Sequence, residues 1–304
     1  MVSFSNIQNR YQAAEESSLG TTPDPFTLLD WGHIQRITVG EEENSQKLAG
    51  INSGHLYALF EDGLYWCNVS IETIISKAAL PNLLEACLGT RADVTDYTIT
   101  SSTTVNSYSL KVSHTDETSG DVILINGFAV KDFEISITKG NTVTLTMNGI
   151  AKKAVKSTES ISVTTNTDET FFDLDTSITV GGNAFVMNNF TISGNWNVTD
   201  DEGRGIEAVG ADERRLLQRF TKHVLDLSGN YEALVNDNDE FGYTEERSDQ
   251  AIIVTISRGT DNEHVFTMSK TRSFNREKEL SRDNSLRVVS YDYEAIDLGV
   301  AGDL

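Results

Sequence analysis

The sequence predicts a mainly-β chain built as two tandem β units, each with one short helix. Three observations carry this prediction. Leu64–Ile75 and Asn189–Thr199 alternate apolar and polar residues, the period-two signature of strands with one wet face. The order strand, long polar loop, strand, short helix, three strands runs through residues 31–154 and again through 177–296. Apolar residues make up 38% of the 304 residues and Pro only 3, a composition that buries cores instead of staying disordered. A chain of this length holds about two domains, each long enough to bury its own core.

Residues 1–30 are mixed and polar, with a Thr-Thr-Pro-Asp-Pro turn at 21–25, and read as an N-terminal arm. The first β unit spans 31–154. It opens with a short strand, His33–Val39. The stretch from Gly40 to Gly63 reads as a long loop, a length that is usually functional or mobile. It begins with Glu41, Glu42 and Glu43 and ends in the apolar cluster Leu56, Tyr57, Leu59 and Phe60, which is expected to dock on a surface. In Leu64–Ile75, Tyr65, Cys67, Val69, Ile71 and Ile75 face one way, and Asn68, Ser70 and Glu72 the other. Pro81–Leu88 is a short helix, with Pro in its first turn and Gly89 as terminator. Tyr108–His114, Val122–Thr138 and Thr142–Ala154 follow as strands. The middle one changes phase near Gly127, where a bulge or bend is expected. Lys139-Gly140-Asn141 is a hairpin turn, and the Ser/Thr-rich region 155–176 is the linker.

The second β unit, 177–304, includes the C-terminal tail. In Asn189–Thr199, Phe190, Ile192, Trp196 and Val198 face one side. Asn189, Thr191, Ser193, Asn195, Asn197 and Thr199 face the other. A loop at 200–220, a strand at 222–234, a helical segment at 239–248 and strands at 251–258, 263–276 and 286–296 complete the second copy.

The net charge is -22. That argues against tight binding to nucleic-acid phosphates, which needs clustered Lys and Arg. It fits a surface that repels DNA or a protein kept soluble in high salt; scarce Lys with abundant Asp, Thr and Val leans toward a halophilic source. Two cysteines, Cys67 and Cys87, are too few for a disulfide framework and read as reduced, buried thiols. The sequons at Asn68, Asn189 and Asn197 are expected to be chance products of Thr-rich strands, since the sequence shows no export signal. No window approaches 18 apolar residues, so no membrane-spanning helix is expected.

Candidate chemistry is thin. Gly203-Arg204-Gly205-Ile206-Glu207-Ala208 matches a loose dinucleotide fingerprint, but the fingerprint needs a parallel strand before it and a helix after it. Here antiparallel-looking strands follow, and a flexible loop is the better reading. Asp237-Asn238-Asp239-Glu240-Phe241-Gly242 starts like a calcium loop, yet Phe241 stands where an oxygen ligand is needed and Ser248 where the bidentate Glu belongs. The five histidines share no ligand spacing. No catalytic, cofactor or metal residue is assigned, and no enzyme is expected.

The element order resembles the tail tube protein of long-tailed bacteriophages and tailed archaeal viruses. The stretches that carry the resemblance are Tyr11…Ser18-Leu19-Gly20-Thr21, Leu64–Ile75, Thr142–Ala154, the Asn188-Asn189-Phe190 strand entry and the 200–220 loop; together they cover nearly the whole chain. The resemblance implies two tail-tube-like β-sandwich or barrel units and a structural virion protein of the tail, assembled in the host cytoplasm. It implies rings whose inner strands join into one β-barrel, stacked into a tube for genome ejection. A chain carrying two copies implies homotrimeric, pseudo-hexameric rings, with hexameric rings as the alternative. The implied partners are other copies of the chain, a tape measure protein and a tail terminator. Double-stranded DNA passes through the lumen without specific binding, and no membrane is involved. Asn68, Ser70, Glu72, Asn189, Thr191, Ser193, Asn195 and Asn197 would face the lumen. The loop with Glu41, Glu42, Glu43, Leu56, Tyr57, Leu59 and Phe60 would stack rings. The rival readings are a halophile surface or adhesion protein of tandem β-sandwiches, which needs an export signal, and a β-rich hydrolase with an unrecognised site.

Overall fold

The computed structural model describes residues 10–43, 46–48, 59–61, 64–93, 96–113, 122–159, 161, 168–184, 186–199, 204–209, 212–217, 221–235, 249–258, 263–278 and 287–303. In chain order the elements are β1 (Arg10–Glu15), β2 (His33–Glu43), β3 (Gln46–Leu48), β4 (Leu59–Glu61), β5 (Leu64–Ile74), α1 (Leu80–Leu88), β6 (Gly89–Asp93), β7 (Tyr97–Ser101), β8 (Tyr108–Ser113), β9 (Val122–Thr138), β10 (Thr144–Ala151) and β11 (Lys153–Ser157). A short 3-10 turn at Asp173–Asp175 leads into β12 (Thr176–Val180), β13 (Asn183–Ala184), β14 (Val186–Thr199), β15 (Arg204–Val209), β16 (Asp212–Leu217), β17 (Thr221–Val235), β18 (Gln250–Ser257), β19 (Glu263–Lys278), β20 (Arg287–Ala295) and β21 (Gly299–Gly302). The fold is mainly β, with one large, almost wholly antiparallel sheet.

Its backbone is a run of eight strands in the order β2-β5-β10-β9-β14-β17-β20-β19. The pairing order of the first four, β2-β5-β10-β9, recurs as β14-β17-β20-β19. β9 and β14 join the two runs, pairing from Asn189↔Thr138 to Asn195↔Asp132. Two smaller groups cover the apolar side. β8 pairs with β1 and with the first half of β9, whose other edge takes β11. β18 pairs with β12 and with the first half of β19.

β9 changes sheet at its middle, as the phase change predicts. Gly127 takes φ +70 there, a conformation that L side chains rarely adopt. The register against β10 slips by one between Asn148 and Gly149. The expected hairpin turn is present: Gly140 has φ +79, and Asn141 N–H donates to Thr138 O at 3.0 Å. α1 buries Leu80, Pro81, Leu83, Leu84, Ala86, Cys87 and Leu88, and Gly89 ends it at φ 123.

The alternating strands bury the predicted faces. Tyr65, Cys67, Val69, Ile71 and Ile75 on one strand, and Phe190, Ile192 and Trp196 on the other, are buried. A single hydrophobic cluster contains residues from both runs. The reason is interlocking. Trp196 Nε1–H donates to Cys87 O at 2.8 Å, tying β14 to α1. The buried Lys222 ammonium stands 5.0 Å over the Trp196 ring, and burial pushes its pKa down to about 8. β21 also pairs with β7, from Gly299↔Thr100 to Gly302↔Tyr97.

Four stretches are more ordered than the sequence suggests. The 1–30 arm contains β1, whose Ala13 and Ala14 are buried. The 155–176 linker begins inside β11. β2 runs on through Glu43, so the expected loop at 40–63 starts later and carries the β3/β4 hairpin. The 200–220 loop contains the β15/β16 hairpin. β1 and β11 pair with strands that are not their neighbours in sequence, whereas β3/β4 and β15/β16 are local hairpins without strict period-two alternation. The helical segment expected at 239–248 lies outside the described residues.

A first prediction concerns close packing inside the second run, where β14, β17 and β20 meet. A Cβ on Gly229 would meet Thr191 O at 2.1 Å and the Tyr293 hydroxyl at 2.5 Å. That hydroxyl donates to Thr191 O at 2.6 Å. Gly229→Ala is expected to displace Tyr293 and cost about 2–4 kcal/mol through overpacking and a lost buried hydrogen bond. The urea midpoint should fall accordingly; a wild-type midpoint would show that β17 yields without strain.

Candidate functional site: a polar sheet face between two open edges

The eight-stranded run has one apolar face, turned to the core, and one polar face. Rows of side chains cross the polar face from strand to strand. One row reads Arg36, Glu72, Thr146, Glu134, Ser193, Ser228, Glu294, Arg272. The next reads Thr38, Ser70, Asn148, Asp132, Asn195, Asp226. Neighbours within and between rows hold one another. Asn148 Nδ2–H donates to Asp132 at 2.6 Å, Ser193 Oγ–H to Glu134 at 3.2 Å and Asn197 Nδ2–H to Asp226 at 3.1 Å. Arg36 and Glu72 pair at 3.7 Å, the arginine largely exposed and the glutamate half-buried, a contact of little energetic weight.

All eight residues that the alternation singled out lie on this face. Asn68, Asn195 and Asn197 are exposed; Ser70, Glu72, Asn189 and Ser193 are half-buried. Thr191 is only 7% exposed, and its hydroxyl accepts a hydrogen bond from Asn230 N–H at 3.0 Å. The sequence reading missed Asp132, Glu134, Thr146, Asn148, Asp226, Ser228, Glu232, Asp292 and Glu294. The signal for the first two was present: beyond Gly127, Phe133, Ile135 and Ile137 alternate with Asp132, Glu134 and Ser136. With these added, carboxylates outnumber cations on the face, so it presents net negative charge.

The residues expected to stack rings fall into two groups. Glu41, Glu42 and Glu43 sit on β2, opposite Cys67, Trp66 and Tyr65 of β5. That placement corrects the expectation of a loop beginning at Gly40. Leu59 and Phe60 belong to β4, opposite Leu48 and Lys47. Leu56 and Tyr57 lie outside the described residues. The hairpin β15/β16 occupies the matching place in the second run, and Arg215 and Leu216 of β16 pair in parallel with Leu64 and Tyr65.

The run ends in two open edges. Among the described residues, β2 along Thr38–Glu43 pairs only with β5, and β19 along Arg272–Lys278 pairs only with β20. Open edges invite another strand unless charge or cover prevents it. Cys67 and Cys87 are buried thiols. Among the described residues no group of His, Cys, Asp and Glu is arranged to hold a metal ion.

Among the described residues the fold is a broad sheet with one wet acidic face and two open edges. The chain belongs to the phage tail tube protein family, whose model matches residues 7–295. No curated protein matches it. Family membership makes the chain a structural component of a virion tail that assembles into a tube.

Proposed function

We propose that the chain is the major tail tube subunit, that three copies close a ring, and that stacked rings enclose the channel for genome ejection. The observation that supports this reading most is the run of eight strands with a polar face and two open antiparallel edges. We read the repeated pairing order as two tandem, pseudo-equivalent tube units. Three such sheets hold twenty-four strands. At a strand spacing of about 4.8 Å and a tilt of about 40°, they close a barrel about 48 Å across. Side chains remove about 10 Å of that diameter, which leaves a bore of about 38 Å, room for one DNA duplex. Six chains would give roughly twice that barrel diameter, and this favours the trimeric ring over the hexameric one.

In this reading the polar face lines the lumen, with Asn68, Ser70, Glu72, Asn189, Thr191, Ser193, Asn195 and Asn197 among its residues. DNA carries one charge per about 1.7 Å of duplex, and an acidic wall offers it no counter-charge to hold it. The β3/β4 hairpin, with the residues around it, reaches the neighbouring ring. A tape measure protein and a tail terminator set the tube's length, and assembly takes place in the host cytoplasm. Electron microscopy of the concentrated chain, with native mass spectrometry of released rings, tests the reading. Rings or tubes of three chains are expected; a dispersed monomer, or rings of six, would refute it.

A second prediction concerns the wall. Asn68→Lys, Ser70→Lys, Asn195→Lys and Asn197→Lys together are expected to permit assembly but slow ejection, because each cation gains phosphate contacts that must break as DNA moves. Ejection kinetics from virions carrying the variant tube read this out. Unchanged kinetics would count against a lumenal position.

A further inference from the structure

We propose that the ring seam joins β19 of one chain to β2 of the next, in the register that β9 and β14 already display within the chain. This rests on the tube reading above and goes beyond it by naming the paired residues. The partner is a second copy of this chain.

The register follows from matching irregularities. In β2/β5, Ile34↔Thr73 gives way to Arg36↔Glu72; in β14/β17, Met187↔Ala233 gives way to Asn189↔Glu232. The shared slip equates Arg36 with Asn189 and Glu72 with Glu232. Crossing the rungs, Glu72 faces Thr146, which faces Glu134; Glu232 faces Ser290, which faces Glu277. Glu277 therefore stands in the place of Glu134. Similarly, Ser70 leads through Asn148 to Asp132, and Asn230 leads through Asp292 to Phe274. Inside the chain, Glu134 faces Ser193 and Asp132 faces Asn195. Counted from the slip, Ser193 corresponds to Gly40 and Asn195 to Glu42. Across the ring seam, Glu277 then faces the partner's Gly40 and Phe274 faces the partner's Glu42, with Arg276, at the irregularity between Asn275 and Glu277, as the extra residue of a bulge.

Charge agrees with this pairing. The open stretch of β19 carries Arg272, Arg276 and Lys278 against one carboxylate, Glu277, and is net positive; the open stretch of β2 carries Glu41, Glu42 and Glu43. Arg272 also pairs with Asp249 at 3.0 Å. The internal seam has no such opposition: Asp132, Phe133 and Glu134 meet Ser193, Gly194 and Asn195. A covalently fixed seam needs no selection. A seam between separate chains must choose β19 against β2 over two like edges, and opposed charge makes that choice. Phe274 is 52% exposed in the single subunit, an aromatic left for a partner strand to cover. The seam thus gives the three glutamates a role within the ring instead of between rings.

Disulfide trapping tests the register. Residues directly opposite across an antiparallel pair hold their Cβ atoms about 4.5–5.5 Å apart, and diagonal ones about 7–8 Å, while a disulfide needs about 3.5–4.5 Å. Glu42→Cys with Phe274→Cys changes two exposed positions. The native thiols will not interfere: both are buried, and burial pushes Cys87 up to about 12. Mild oxidation is expected to cross-link this double variant between chains. Gly40→Cys with Phe274→Cys, shifted by two residues, is expected to stay uncross-linked; a Cβ at Gly40 meets nothing within 4 Å. If the shifted pair cross-links instead while microscopy shows rings, the register is wrong and the tube reading stands. If the unmodified chain forms no rings or tubes, both fall. Charge reversal gives a second readout. Glu41→Lys with Glu42→Lys should prevent ring closure, and adding Arg276→Glu with Lys278→Glu should restore it. Rings that form equally in all three proteins would overturn the charge-selected seam.

Discussion

Replacing residues 44–64 with an Asn-Gly turn is expected to leave a folded subunit that no longer forms long tubes. Glu43 and Tyr65 already face each other across β2 and β5, so a two-residue hairpin turn can close the strands there. The excised part includes the β3/β4 hairpin, whose two strands pair only with each other among the described residues. The sheet run and the main hydrophobic cluster lie elsewhere. Thermal stability should therefore change little. Stacking should fail, because the segment carries Leu56, Tyr57, Leu59 and Phe60. Burying several such side chains contributes at roughly 25 cal/mol per Å², repeated around the ring. Single rings by microscopy, with a near-native melting temperature, are the expected result. Long tubes from the shortened chain would remove the hairpin from the stacking contact.

Glu16→Ala is expected to cost about 3 kcal/mol or more, a large share of a domain's stability. The carboxylate is 8% exposed and accepts four hydrogen bonds. Gly20 N–H donates at 2.6 Å and Ser107 Oγ–H at 2.9 Å to one oxygen. Ser109 Oγ–H donates at 2.6 Å and Gly127 N–H at 2.9 Å to the other. Removing it strands donors from three segments at the point where β9 changes sheet. Glu16→Gln keeps the shape but turns an amide donor toward other donors, so an intermediate loss is expected. Urea midpoints should rank wild type above Glu16→Gln above Glu16→Ala, with early proteolytic cleavage near residues 16–25 in the alanine variant. Equal midpoints would mean that the cluster contributes no net stability.

Glu16 also marks where sequence reading stops. Beside Glu15 in a polar stretch, it reads as solvated charge. Only the approach of Ser107, Ser109 and Gly127 makes it a buried acceptor. Asp132 and Glu134 differ: their alternation with Phe133 and Ile135 was visible, though the phase change at Gly127 obscured which half of the strand it governed. Glu41–Glu43 were visible as a cluster but assigned to a loop, since three successive carboxylates lack the alternation of a half-buried strand. Glu41 and Glu43 stand directly opposite the buried Cys67 and Tyr65 of β5.

By itself, the sequence determined the strands with strict period two, the Pro- and Gly-bounded helix, the hairpin at Gly140, the mainly-β class and the family resemblance. Those features depend on neighbours one to four residues away, and side-chain alternation records them directly. The tertiary structure decided which strands are adjacent, that β9 seats β14, that one core joins both runs, and that the edges of β2 and β19 stay open. Backbone hydrogen bonds are the same for every residue type, so strand order and register leave little trace in composition. They are fixed only when distant strands compete to bury their apolar faces together.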